Sequence, residues 1–316
     1  MLSDAEKKFQ LPSALQEITL PEWKIKDVSV YVKRDDLIHD IVQGNKWRKL
    51  KYNLHDATKH HKTNIISFGG PWSNHLAATA AACGLTGFTS TAYIRGVFCE
   101  EDFTQTMKDC LHNGMKLIFL SKNEYDLLKS SNYSGIASEV SDYIIPEGGA
   151  NANGVKGCIE IRNEIDVDFN YIVSPVGSGT TCAGLALSCK PNEKVLCINV
   201  FKKSETLLQL IEEKIRLYTI NEEEIKRAIS KLIIVDNYSF GGFARVTNEL
   251  IDFKKWFFQK TGINTDLIYT SKMFFALISL IKGDFFEKGV KLVALHTGGI
   301  QGNQGFQHQM NDLVKI

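Results

Sequence analysis

Tyr171-Ile172-Val173-Ser174-Pro175-Val176-Gly177-Ser178-Gly179-Thr180-Thr181 decides the fold. Residues 171–174 form an apolar run of strand length, 175–179 a glycine-rich turn, and 181–188 a helix. A buried strand that turns through glycine into a helix is the repeating unit of a parallel α/β sheet. The turn also reads as an anion cradle. Gly177 and Gly179 let backbone N–H groups converge, Ser178, Thr180 and Thr181 add hydroxyls, and the helix dipole favours negative charge there. No Gly-Lys-Ser/Thr follows, so this is not a nucleoside triphosphate loop, and Cys182 breaks a Gly-x-Gly-x-x-Gly pattern. A tight turn with a capped helix accounts for the same residues.

The unit recurs along the chain. Strand-like runs fall at 28–33, 64–68, 90–94, 116–120, 195–200, 232–235 and 290–295. Helix-like stretches fall at 50–57, 76–83, 103–111 and 248–260. Alternation of this kind predicts an α/β fold with mainly parallel sheets, and ligands bind at the carboxyl ends of such strands. A length of 316 residues predicts two lobes with a cleft. The hydrophobic and charged shares, 44% and 23%, are those of an ordinary globular protein. A net charge of +1 gives no field to hold nucleic acid or an anionic membrane. The longest apolar run, 273–281, is too short to span a bilayer, and the first eight residues carry no secretory core. Seven cysteines without a Cys-x-x-Cys pair suggest free thiols in a reducing, cytoplasmic compartment.

Three further stretches follow strands. Gln43-Gly44-Asn45-Lys46-Trp47-Arg48-Lys49-Leu50 puts Lys46 behind a glycine turn at a helix entrance. The electropositive entrance disfavours an ammonium, so the lysine pKa is expected to fall and a nucleophilic amine to become accessible. A surface lysine is the plainer reading of this residue alone. In Phe68-Gly69-Gly70-Pro71-Trp72-Ser73-Asn74-His75, Ser73 and Asn74 stand at a helix N-terminus, either as caps or as a seat for a carboxylate or phenolate oxygen. His75 has no second ligand at i+4, so no metal site is expected. In His296-Thr297-Gly298-Gly299, Thr297 offers a hydroxyl to a ring nitrogen, or simply turns the chain. Together these features describe a pyridoxal 5'-phosphate site. Lys46 meets the aldehyde, Gly177, Ser178, Gly179, Thr180 and Thr181 the phosphate, Asn74 the ring hydroxyl and Thr297 the ring nitrogen.

Gly44-Asn45-Lys46-x-Arg48-Lys49-Leu50, Gly70-Pro71-Trp72-Ser73-Asn74-His75, Pro146-Glu147-Gly148-Gly149-Ala150-Asn151 and His296-Thr297-Gly298-Gly299 resemble the 1-aminocyclopropane-1-carboxylate deaminase / D-cysteine desulfhydrase family, in order across nearly the whole chain. The resemblance implies a tryptophan synthase β-like fold with two three-layer α/β/α domains. The smaller, at 49–157, is inserted into a larger one of 1–48 and 158–316. It also implies a homodimer acting on a small amino acid. Lys46 would hold the cofactor and move protons, Ser73, Asn74 and His75 would meet the substrate carboxylate, and Tyr269 would stand near the reacting carbon. Three positions depart from the pattern. Gln43 replaces a glycine. Phe243 falls where a second tyrosine is usual, with Tyr238 as a substitute. Thr270 replaces a carboxylate after Tyr269, and a hydroxyl partner would leave the ring nitrogen largely unprotonated. These departures favour β-elimination from D-cysteine to pyruvate, sulfide and ammonia. The alternatives are ring-opening deamination of 1-aminocyclopropane-1-carboxylate to 2-oxobutyrate, a cofactor-binding protein of little activity, and a sugar-phosphate or nucleotide enzyme.

Overall fold

The strands sort into two sheets, each with its helices on both faces. The computed structural model describes residues 2–136, 139–202 and 205–312. Its strands are β1 (Leu15–Ile18), β2 (Ser29–Lys33), β3 (Asn64–Gly69), β4 (Thr89–Arg95), β5 (Met115–Leu120), β6 (Asp142–Ile145), β7 (Tyr171–Val176), β8 (Lys194–Asn199), β9 (Leu232–Val235) and β10 (Lys291–Leu295). The six-stranded sheet runs β1-β2-β10-β7-β8-β9, parallel except for the β1–β2 pair. The four-stranded sheet runs β5-β4-β3-β6 and is wholly parallel.

Period-two alternation divides the apolar residues of β10 between two cores. Leu292 and Ala294 join Met273 and Phe274 of helix Thr270–Lys282 on one face. Val293 and Leu295 join Cys182 and Leu185 of helix Thr180–Ser188 on the other. The apolar run 273–281 is thus a buried core helix, and among the described residues no helix is long and apolar enough to cross a membrane.

The order of the large sheet positions the site. The last strand, β10, lies between β2 and β7, so the chain leaves three neighbouring strand ends at Lys33, Leu295 and Val176. The Lys46 turn, the Thr297 loop and the Gly177 loop therefore emerge side by side. Two strands escaped the sequence pattern. β1 is a short, half-exposed edge strand, and β6 is four residues ahead of Pro146. The helix expected from 103 begins at Gln105, because Phe103 is extended and the Thr104 hydroxyl caps the helix by accepting from Met107 N.

Candidate active site

Gly44 adopts φ +63°, ψ −143°, and an added Cβ would lie 2.0 Å from the Thr297 carbonyl oxygen. Only glycine lets these two backbones touch. Gly44 N donates to Asp35 O at 2.8 Å, and Gln43 Oε1 accepts from Ile300 N at 3.3 Å. Gln43, the departure from the expected glycine, therefore ties the Lys46 turn to the loop after β10. Lys46 is the second residue of helix Asn45–Lys59 and donates to Asn45 Oδ1 at 2.5 Å. Burial, followed by the Lys49 ammonium one turn on, pushes the Lys46 pKa down to about 7, while Asp266 and Cys158 oppose the fall. The direction matches the helix-entrance reading, but desolvation and a second lysine are the causes.

Lys49 is 5% exposed and donates to Gly148 O and Ser178 Oγ, each at 3.1 Å. Among the described residues no carboxylate pairs with it, and burial lowers its pKa. Gly179, at φ +79°, starts helix Thr180–Ser188, and Ser178 Oγ lies 2.9 Å from Thr180 Oγ1. Asn45 Nδ2 donates to Thr181 Oγ1 at 2.9 Å. A buried ammonium, a helix N-terminus and clustered hydroxyls make a seat for a phosphate.

Ser73 caps helix Asn74–Thr86 by accepting from Leu76 N at 3.3 Å. Asn74 is buried, with Nδ2 3.5 Å from Gly299 O and Oδ1 without a partner among the described residues. His75 Nε2 lies 3.1 Å from Ser67 Oγ, which donates its own hydrogen to Ile145 O at 2.9 Å. The imidazole therefore carries its hydrogen on Nε2, leaving Nδ1 as a buried acceptor with no partner among the described residues. Burial, then Lys49 and Lys46, holds its pKa down to about 3, so the ring is neutral. These orphaned atoms beside a cation-lined cup fit a polar heteroaromatic phosphate better than water-filled or apolar space.

Tyr269 packs its ring 3.3 Å from where a Cβ on Gly177 would stand. Asp266 fixes it. Oδ1 accepts from Ile268 N at 2.9 Å and Tyr269 N at 2.7 Å, and Oδ2 accepts from Thr270 N at 2.9 Å and Thr270 Oγ1 at 2.5 Å. Thr270 Oγ1 in turn accepts from Asp266 N at 2.8 Å. Its hydroxyl is thus engaged in the helix start, which corrects its reading as a ring-nitrogen partner. Thr297 is 4% exposed, with its backbone against Gly44. Burial, then Asp266 and Glu147, raises the Tyr269 pKa, so its phenol stays protonated.

Of the two candidates for a second tyrosine, Phe243 stands edge-on to Tyr269 with ring centroids 5.8 Å apart. Tyr238 packs with Phe275 instead, at 6.4 Å, against a hydrophobic core. A phenylalanine, not a tyrosine, thus faces Tyr269.

Lys49, Asn45 and Asp266 went unassigned in the sequence. Lys49 had a signal, since it lies at i+3 from Lys46 on the same helix face. Arg48, also unassigned, is wholly buried beneath the site. It pairs with Asp35 at 2.9 Å and with both carboxylate oxygens of Glu164. Lys33 Nζ reaches Glu164 at 2.9 Å. Against the penalty of burial, Arg48 and then Lys33 hold the Glu164 carboxyl down to about 2. The network pins the Lys46 helix to β2 and to the end of helix Ala152–Asn163.

Residues 14–298 match the family described as pyridoxal-phosphate dependent enzyme. A Pyrococcus furiosus protein provisionally named 1-aminocyclopropane-1-carboxylate deaminase is 33% identical over 294 residues, covering 88% of this chain and 87% of that protein. The Arabidopsis thaliana mitochondrial bifunctional D-cysteine desulfhydrase/1-aminocyclopropane-1-carboxylate deaminase is 28% identical, covering 96% of this chain and 80% of that one. The crystal structure of an ACC deaminase homologue superposes with a TM-score of 0.79 at 26% identity, covering 99% and 98% of the two chains. With its lysine turn, anion cup and orphaned polar atoms in one place, the chain belongs to the pyridoxal-phosphate dependent enzymes, among the relatives of 1-aminocyclopropane-1-carboxylate deaminase.

Proposed function

We propose that this enzyme is a D-cysteine desulfhydrase, converting D-cysteine and water to pyruvate, sulfide and ammonia. The observation that carries the choice is the Phe243–Tyr269 pair. One phenol faces the cup where ring opening of an unactivated cyclopropane calls for a second proton-carrying ring. The name of the Arabidopsis relative supports the pairing of both chemistries on one scaffold.

Lys49 and residues Gly177, Ser178, Gly179, Thr180 and Thr181 would hold the phosphate, Asn74 the ring oxygen and Thr297 the ring nitrogen. The bound cofactor supplies an electron sink. The N-terminus of helix Asn74–Thr86, with the Ser73 hydroxyl, receives the substrate carboxylate. In the chain without ligand, burial and Lys49 hold the Lys46 pKa down to about 7, which makes its amine accessible as a base. It takes the hydrogen of the substrate α-carbon as the C–S bond breaks. Tyr269, protonated, gives a hydrogen to the departing sulfur or orients it.

Purified enzyme incubated with D-cysteine, L-cysteine, D-serine and 1-aminocyclopropane-1-carboxylate tests this. Pyruvate and sulfide from D-cysteine are expected, and keto-acid release from the cyclopropane alone refutes the assignment. Ring-opening deamination is the second reading, favoured by the name of the Pyrococcus relative. Borohydride reduction of the holoenzyme followed by peptide mapping should place the cofactor on Lys46. We also propose a homodimer, read by light scattering, and a smaller domain at 49–157, supported by β3 to β6 all lying between residues 64 and 145. A cytoplasmic setting is supported by the seven unpaired cysteines.

A further inference from the structure

Asn45 opens the helix that carries Lys46 and is 8% exposed. Its amide is engaged at both ends. Oδ1 accepts from Lys46 Nζ at 2.5 Å, and Nδ2 donates to Thr181 Oγ1 at 2.9 Å. The lysine fixes the orientation of the amide, because the opposite one would set two donors against each other. Thr181 Oγ1 also accepts from Cys158 Sγ at 3.8 Å. A hydroxyl oxygen has two acceptor positions, so with both filled its own hydrogen is what remains to give. That hydrogen belongs to the second residue of the helix whose N-terminus forms the cup.

We propose that Asn45 is a positioning residue whose amide holds the Lys46 amine in one place and ties that place to the Thr181 hydroxyl of the anion cup. Filling the cup and aiming the lysine then become one event. Without Asn45 the lysine has no fixed acceptor, and Thr181 is free to turn its hydrogen elsewhere. The inference deepens the reading of Lys46 as the cofactor lysine and rests on it. The charged and titratable groups that bear on Lys46 are Lys49 on its own helix, Asp266 ahead of helix Thr270–Lys282, Cys158 on helix Ala152–Asn163 and the neutral His75 on helix Asn74–Thr86. A substitution at Asn45 leaves all four in place.

The test uses the full-length chain freed of cofactor. Reductive methylation across pH, read by peptide mass spectrometry, gives the protonation midpoint of Lys46, and titration with inorganic phosphate gives the affinity of the cup. An acceptor favours the charged lysine, so Asn45→Ala should lower the midpoint by about one pH unit. Asn45→Asp, nearly isosteric, should raise it while weakening phosphate binding, and it serves if the alanine variant does not fold. Asn45→Ala and Thr181→Val should each weaken phosphate binding by about tenfold, with the double variant no weaker than Thr181→Val alone. Thr181→Ser should restore it. A Lys46 midpoint unmoved in both Asn45 variants, or phosphate effects that simply multiply, overturns the proposal. A borohydride map that labels another lysine sinks the cofactor reading, whereas an unmoved midpoint with the label on Lys46 sinks only the role of Asn45.

Discussion

Replacing Gly44 with alanine drives a methyl group into the backbone of the loop after β10. The new Cβ would stand 2.0 Å from Thr297 O, 2.2 Å from Thr297 C and 2.6 Å from Gly298 N. All three are main-chain atoms, so no side chain can swing aside. Ordinary contact begins at 3.4 Å, which means the two loops must separate by about 1.4 Å (3.4 less 2.0). The backbone at φ +63°, ψ −143° adds about 1–3 kcal/mol of strain for any residue with a Cβ. Gly44→Ala should therefore lose about 3–5 kcal/mol in urea unfolding, in the range of severe single substitutions. The separation also moves Lys46 relative to Thr297, and a displacement near 1 Å lowers turnover by about a hundredfold. Gly114→Ala is the control. Gly114 lies at φ +78° with nothing within 4 Å of an added Cβ, so that variant should lose about 1 kcal/mol with turnover intact. If Gly44→Ala behaves like Gly114→Ala in both assays, the close approach of the two loops does not govern the site.

Phe243→Tyr should raise turnover of 1-aminocyclopropane-1-carboxylate relative to D-cysteine by at least about tenfold, measured as a ratio of kcat/KM values, because general acid–base groups contribute on the order of a hundredfold or more. Lys49→Met should raise the dissociation constant of pyridoxal 5'-phosphate by about 10- to 100-fold in a fluorescence titration, the loss of one charged hydrogen bond to phosphate. Glu164 has its pKa held near 2, below its unfolded value, so its contribution is present above pH about 4.3 and is lost as pH falls towards 2. Glu164→Gln should lower stability by about 3 kcal/mol at pH 7, and the gap to the parent protein should close in unfolding curves taken at falling pH.

The strand ends and the glycine turns were legible in the sequence because each is local: an apolar run, a glycine, a polar cap. β7 and the Gly177 loop therefore appear where expected, and so do the Lys46 turn and the Thr297 loop. What local pattern does not carry is who meets whom. Thr270 looked like a ring partner because it follows Tyr269. Its hydroxyl is instead engaged by Asp266, a residue of ordinary appearance until the helix start folds over it. Tyr238 and Phe243 were rivals five positions apart, and only the path of the chain sets Phe243 against Tyr269.

The lysine shows the same division in its energetics. A helix entrance lowers the pKa of any lysine by a modest amount, since the dipole is worth about 0.3–1 kcal/mol at an exposed site. A fall from 10.5 to about 7 is several times larger. It requires that solvent be excluded and that a second ammonium, Lys49, be held nearby without a carboxylate among the described residues to neutralise it. Both conditions depend on Gly148 and Ser178, which lie about 100 and 130 residues further along the chain and close over Lys49. The buried Lys49 of the cup and the lowered pKa of Lys46 are thus one electrostatic arrangement. Inorganic phosphate at Lys49 would relieve the repulsion and raise the Lys46 pKa, so the phosphate-bound and phosphate-free chains, both without cofactor, should differ in lysine reactivity in that direction.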